Sequence, residues 1–174
     1  MKMDKVAGSK NDENYTPVYA ITPLFDYIPT YKTIWCPFDT EDSHYVKEFR
    51  KRGNKVIATH IENGQDFFIY EPEEEYDLIV SNPPYSLKAE VFERLFKLDK
   101  PFAMLVGVVG LFESQKRFEL FRDNDFEVMY FNRRVSFFQD FADEKPKLNP
   151  PFSSVYITKD LLPTRIVFEE IEKK

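Results

Sequence analysis

The sequence predicts an α/β domain built on a mostly parallel sheet that helices wind on both faces. Three observations predict it. Short apolar runs with β character alternate with amphipathic stretches of helical spacing through the first two-thirds of the chain. The last pair of strand-like runs is joined by a polar, proline-rich loop and no helix, which predicts an antiparallel hairpin at the end of the sheet. The 174 residues, 43% of them hydrophobic and 18 of them Phe, fit one domain with a full core and leave no room for a second.

The elements follow in order. Residues 1 to 14 are polar and predict a flexible N-terminal segment. The domain is expected over 15 to 174. Thr16-Pro17 and Thr22-Pro23 pair an N-cap residue with a first-turn proline, predicting a helical segment near Val18 to Ile28 that kinks or restarts at Pro23. Thr33 to Cys36 reads as a strand, and Pro37 to Thr40 as its exit turn. Asp42 to Arg52 reads as a helix, with Tyr45, Val46 and Phe49 on one face and Gly53 as its stop. Lys55 to Thr59 is a second strand, and Gly64 to Phe68 a turn entering a short third strand or edge. Glu71 to Glu75 is an acidic, solvated connection. Tyr76 to Val80 is a buried strand, Leu87 to Leu98 a helix, Phe102 to Val109 a strongly apolar strand, and Glu113 to Arg122 an amphipathic helix. Glu127 to Phe131, Val135 to Phe138 and Ser154 to Thr158 are strands, with the loop Gln139 to Phe152 between the last two. The tail from Leu161 to Lys174 reads equally as strand or helix.

Composition narrows the function. No apolar run approaches the roughly 20 residues that span a bilayer, and no apolar segment follows Met1-Lys2-Met3-Asp4-Lys5 as a leader would require. One cysteine excludes an internal disulfide, and with 2 histidines no Cys/His cluster is spaced for a metal. A reducing cytoplasm is the expected compartment. The net charge of −6 disfavours a polyanion partner globally, so a nucleic acid needs a local basic face. Lys116-Arg117 and Arg133-Arg134, with Lys145 and Lys147, offer such a rim or an ordinary solvated face.

The informative stretch is Asn82-Pro83-Pro84-Tyr85, between a strand and a helix. The carboxyl ends of strands are where open α/β sheets place their ligand crevice. Two prolines fix φ twice and remove two donors while keeping their carbonyls, so the turn is a stiff ledge of acceptors. Asn82 adds a side-chain acceptor and Tyr85 a flat apolar face. That combination suits holding an amino group for chemistry.

With these residues in hand, the chain resembles the class I S-adenosylmethionine-dependent methyltransferases. It looks most like the amino-methylating group with an Asn/Asp-Pro-Pro-Tyr motif, chiefly DNA adenine-N6 methyltransferases of small prophage type. The resemblance spans roughly residues 15 to 158. It implies a Rossmann-like, doubly wound, mostly parallel seven-stranded sheet with an antiparallel C-terminal hairpin. It implies S-adenosyl-L-methionine as cofactor and Asn82, Pro83, Pro84 and Tyr85 as catalytic residues. Tyr15, Thr16 and Pro17 are similar to the segment around the methionine end of the cofactor. Cys36, Pro37 and Asp39 stand on the first turn. Asp66-Phe67 takes the place of the acidic-apolar pair that contacts the adenine. Val135 to Phe138, with Asn149-Pro150-Pro151-Phe152, resembles the late hairpin at the target base, where Phe138 or Phe152 faces Tyr85 across the base.

Two departures stand out. The first turn, Cys36 to Ser43, has no glycine, and the end of strand two offers Thr59-His60, with Glu62 later, instead of an acidic residue for the ribose. Cys36 also reads as a small buried apolar residue, and His44 and His60 as surface or satisfied residues. The expected partner is a nucleic acid, DNA before RNA, with specificity from the loop Gln139 to Phe152, from a protein partner or from a homodimer. Two alternatives stay open. An amide nitrogen needs the same two acceptors, so a protein glutamine is a possible substrate. A chain with an altered cofactor turn is otherwise a non-catalytic binding or accessory subunit.

Overall fold

Side chains along the strand Phe102–Gly107 divide the molecule: Phe102, Met104 and Val106 enter one core, Ala103 and Leu105 the other. A strand buried on both faces is the centre of a three-layer α/β structure. The computed structural model describes residues 15–138, 140–142 and 152–173. The expected flexible segment 1–14, and Gln139, Lys145, Lys147 and Asn149-Pro150-Pro151 of the late loop, lie outside the described residues.

Seven strands form one sheet: β1 (Thr33–Cys36), β2 (Lys55–Ala58), β3 (Leu78–Ser81), β4 (Phe102–Gly107), β5 (Glu127–Phe131), β6 (Ser154–Lys159) and β7 (Ile166–Glu169). Their order is β2-β1-β3-β4-β6-β5-β7. β1 pairs in parallel with β2 and β3, and β3 with β4. Only β6 runs the other way, antiparallel to β4 and to β5, while β7 is parallel to β5. The expected fold class is therefore the observed one.

Among the described residues three α-helices cover the sheet: α1 (His44–Arg52), α2 (Lys88–Leu98) and α3 (Gln115–Asp123). α1 places Tyr45, Val46 and Phe49 in the core that Ala103 and Leu105 share, and α2 places Val91, Phe92 and Leu95 in the opposite one. α1 starts two residues later than its sequence predicts, because Ser43 caps it, its hydroxyl accepting the Tyr45 N–H. Gly53, at φ 109°, ends it, giving its N–H to Arg50 and Phe49.

Several expectations need correction. The segment 18 to 28 forms two 3-10 turns, Val18–Ala20 and Thr22–Asp26, with Pro23 restarting the chain as its fixed φ dictates. The turn Gly64 to Phe68 enters no strand or edge before β3. The Asp66 side chain accepts the Phe68 N–H and its carbonyl those of Ile69 and Tyr70, so local bonds take the donors a ladder would need. Val135 to Phe138 is not a strand. Val135 and Phe137 are buried in the core, and the backbone pairs only at a single bridge, Phe138 with Tyr15. The first arm of the antiparallel pair is β5. The tail resolves as the edge strand β7.

The short crossover from β6 to β7 passes β5, and one carboxylate organises it. Glu127 accepts from the Thr158 hydroxyl and from the Leu161 and Leu162 N–H groups on Oε1, and from the Asp160 N–H on Oε2, at 2.9–3.1 Å. Asp160 sits there at φ 51°. Hydrogen bonds to a charged group contribute roughly 1.5–3 kcal/mol. Glu127→Ala is expected to cost at least one such bond, roughly 1.5–3 kcal/mol, in urea unfolding and to release β7 first. Hydrogen exchange at Val167 to Glu169 unchanged from wild type would refute that assignment.

Candidate active site

The chain steps from β1 outward to β2 and then back to β3 on the other side. A doubly wound sheet opens a crevice at such a reversal, beyond the carboxyl ends of the strands. A cleft of about 670 Å³, measured out to its open mouth, lies there. Pro37, Phe38 and Asp39 reach it from the end of β1, His60 and Ile61 from β2, and Asn82 and Pro84 from β3. Tyr15 and Thr16 line it from the N-terminal side, Asp66, Phe67 and Phe68 from the turn after β2, and Phe141 from the late loop.

Asp39 ties these parts together. Its Oδ1 accepts from the Ser43 hydroxyl at 2.5 Å and its Oδ2 from the Ser81 hydroxyl at 2.6 Å. The Asp39 N–H donates to the Thr59 carbonyl at 3.1 Å. Thus one residue joins the exit of β1, the cap of α1, the end of β2 and the end of β3. Burial raises its carboxyl above the ordinary value, while the two hydroxyl donors act in the opposite direction.

The glycine-free turn is explained by its backbone. Positive φ among the described residues occurs at Gly53, Gly64, Asp99, Gly110 and Asp160, none of them between 36 and 43, so this turn needs no left-handed residue. At the end of β2, Thr59 is buried and its hydroxyl accepts the Trp35 indole N–H at 2.9 Å. His60, also buried, uses Nδ1 to accept the Glu62 N–H at 3.1 Å, which assigns its proton to Nε2. Asp66 spends Oδ1 on the Phe68 N–H. Thr16 Oγ1 is buried and makes no hydrogen bond of normal geometry among the described residues, though it lies near enough to the Tyr45 phenol to favour its ionised form.

Not every residue singled out from sequence reaches the cleft. Cys36 is fully buried in the core, and burial pushes its thiol up. Pro17 lines a neighbouring pocket with Val18 and Tyr19. Pro83, within the ledge, is buried and does not line the cleft. Phe138 lies on the Tyr15 side, 5.7 Å from that ring and 5.4 Å from Phe141, and Tyr15 stacks on Phe141 at 4.1 Å. The aromatic neighbours of Tyr85 are instead Phe152 at 5.5 Å and Phe137 at 6.4 Å, both edge-on. Phe152 packs on Gly107, where an added Cβ would sit 3.0 Å from its ring. The Tyr85 hydroxyl is buried without a hydrogen-bond partner among the described residues, and burial raises its pKa.

Sequence reasoning missed Ser43, Phe141 and Gly107, and gave Ser81 no bonding role of its own. A serine just before a helical run is a capping signal that could have found Ser43. Nothing local marks the contacts of the other three, which meet their partners only in the fold.

No family model matches the sequence, and no curated protein is similar enough in sequence to match. Solved structures do match the fold. One is described as the modification subunit of a type I restriction enzyme from Vibrio vulnificus YJ016, with TM-score 0.58 and 10% identity over 99% of this chain and 50% of that one. Another is the type I restriction-modification system methyltransferase subunit from Streptococcus thermophilus, with TM-score 0.50 and 14% identity over 91% of this chain and 47% of that one. The chain shares its α/β fold with these two proteins, and it spans about half the length of each.

Ser81→Ala tests the tie. Asp39, raised in the fold above 3.8, contributes stability that is full below the unfolded carboxylate value and lost as pH rises through its folded value. Removing one donor raises that folded value further. Ser81→Ala is expected to cost roughly 1.5–3 kcal/mol near pH 7 and distinctly less at a pH well below 3.8, where a carboxyl raised above that value is protonated. Equal losses in urea at both pH values would show that the bond does not act on the ionised carboxyl.

Proposed function

We propose that the chain is an S-adenosylmethionine-dependent methyltransferase acting on an exocyclic amino group, with adenine N6 in DNA as the preferred target. One observation carries the reading. The Asn82-Pro83-Pro84-Tyr85 ledge follows β3 at the switch point, and its Asn82 and Pro84 line the same cleft as Asp39, Asp66 and Thr16. The folds of the two methyltransferase-type subunits above support it.

The cleft suits the cofactor. Two carboxylates, the Thr16 hydroxyl left without a bond of normal geometry and an apolar wall of Phe38, Ile61 and Phe68 match a molecule with an adenine ring and a charged amino-acid end. Asp39, Thr16 and Tyr15 would hold the amino-acid end, and Asp66 with Phe67 the adenine. His60, with its proton on Nε2, would stand where an acidic residue usually meets the ribose. When bound, S-adenosylmethionine supplies a methyl group activated by a sulfonium.

The ledge acts on the acceptor. An aromatic amine is a poor nucleophile because its lone pair is delocalised into the ring. The Asn82 side-chain oxygen and the Pro83 carbonyl accept its two N–H protons and turn the lone pair outward. Such positioning is worth up to about 7–11 kcal/mol in the best models, and the same acceptors stabilise the charge that develops on nitrogen. Tyr85 offers a stacking face to a base turned out of its helix, with Phe152 beside it. Sequence specificity is assigned to the loop after Phe138, to a protein partner or to a second copy.

The test pairs binding with transfer. S-adenosylmethionine is expected to bind in a calorimetric titration. Asn82→Ala is expected to leave that binding intact and lower methyl transfer by on the order of 10²–10³ or more. Tritiated cofactor offered to DNA, RNA and lysate protein identifies the acceptor. No binding at millimolar cofactor would sink the enzymatic reading and favour an accessory subunit, while label in protein alone would reassign the substrate to a glutamine amide.

A further inference from the structure

A cation stands beside the ledge, and a second acts on it electrostatically. Lys88, the first residue of α2, is half-buried with Nζ 5.5 Å from the Tyr85 ring centre. No carboxylate among the described residues forms an ion pair with it. Burial lowers the Lys88 ammonium pKa, and the charge of Arg117 adds to the effect, so the two cations are within electrostatic reach of each other. Arg117 is anchored, donating Nε to the Leu111 carbonyl at 2.9 Å and Nη2 to the Gly110 carbonyl at 2.8 Å. The neighbouring cation Lys116 is ion-paired with Glu93.

Holding an unpaired ammonium half-buried near a guanidinium costs free energy in the absence of an anion. Both cations stand at N-terminal turns of helices, Lys88 opening α2 and Arg117 in the first turn of α3, where the helix macrodipole also favours negative charge. α2 has no side-chain cap.

We propose that Lys88, with Arg117 behind it, forms a phosphate-binding element of the site. This rests on the function proposed above and deepens it by assigning the residues that meet the backbone of the nucleic acid. The phosphodiester beside the target nucleotide meets Lys88 and Arg117. The base that stacks on Tyr85 takes the ring face that Lys88 now shares, and the ammonium passes from ring to phosphate. A glutamine side chain brings no anion and leaves the pair unmet. The pair thus supplies the local basic face that a chain of net charge −6 requires for such a partner.

The experiment reads binding alone, without cofactor, by anisotropy of fluorescein-labelled DNA and RNA oligonucleotides across a salt series. Wild type is expected to bind with a negative log–log salt slope. Lys88→Gln is expected to weaken binding about tenfold at low salt and to reduce the slope by about 1, as loss of one phosphate contact does. Lys88→Arg restores the slope. Lys55→Gln, at the opposite end of the sheet, leaves it unchanged. Thermal melts of each variant report folding, and the Lys88→Arg comparison separates charge from packing. Equal affinity and slope for Lys88→Gln and wild type, equal weakening by Lys55→Gln, or no oligonucleotide binding each overturn the proposal. Lys88-dependent binding without methyl transfer would leave this element standing and remove the transferase reading. Transfer to protein without oligonucleotide binding would do the reverse.

Discussion

The site depends on one carboxylate accepting two hydroxyl donors. Asp39 spans the crevice at the sheet's switch point, from Ser43 at the start of α1 to Ser81 at the end of β3. A buried carboxylate is costly to desolvate, and only good hydrogen bonds offset that cost. Here the donors are the residues whose positions the site requires. Ser43 caps α1 with the same oxygen that donates to Asp39. Ser81 immediately precedes Asn82, so holding its hydroxyl sets where the ledge begins. The start of α1 on one side of the cleft and the end of β3 on the other are thus positioned by one group.

The architecture was legible because it rests on periodicity. Alternating apolar runs mark β1 to β6 and the helices to within a few residues, since burial on both faces of a parallel sheet demands them. The errors share a cause. Val135 to Phe138 and Phe67-Phe68 carry strand-like composition, yet their apolar side chains pack without a ladder. Hydrophobic content reports burial and says little about where backbone donors go. Asp66 satisfies those donors locally, a choice invisible to composition.

The site was legible in its motif and obscure in its supports. Asn82-Pro83-Pro84-Tyr85 is contiguous, so its place at the end of β3 and the mouth of the cleft can be read directly. Asp39 and Ser81 are remote in sequence and adjacent only once β1 and β3 pair. Phe138 and Phe137 show the limit most clearly. As neighbours in an extended stretch they point to opposite sides, one toward Tyr15 and the other toward Tyr85. Which of the two joins the ledge depends on the single Phe138–Tyr15 bridge, and nothing in the local sequence encodes that phase.

The packing of Phe152 on Gly107 has an evolutionary consequence. The ring occupies the space a Cβ at 107 would claim, so the two positions form one steric unit despite their separation in the chain. A lineage cannot enlarge 107 while retaining an aromatic at 152 unless the wall beside Tyr85 moves. Among divergent relatives the two columns should therefore change together, glycine with an aromatic ring and a larger residue with a smaller partner. Such paired drift would record the shape of this wall where overall identity has fallen too low to show it.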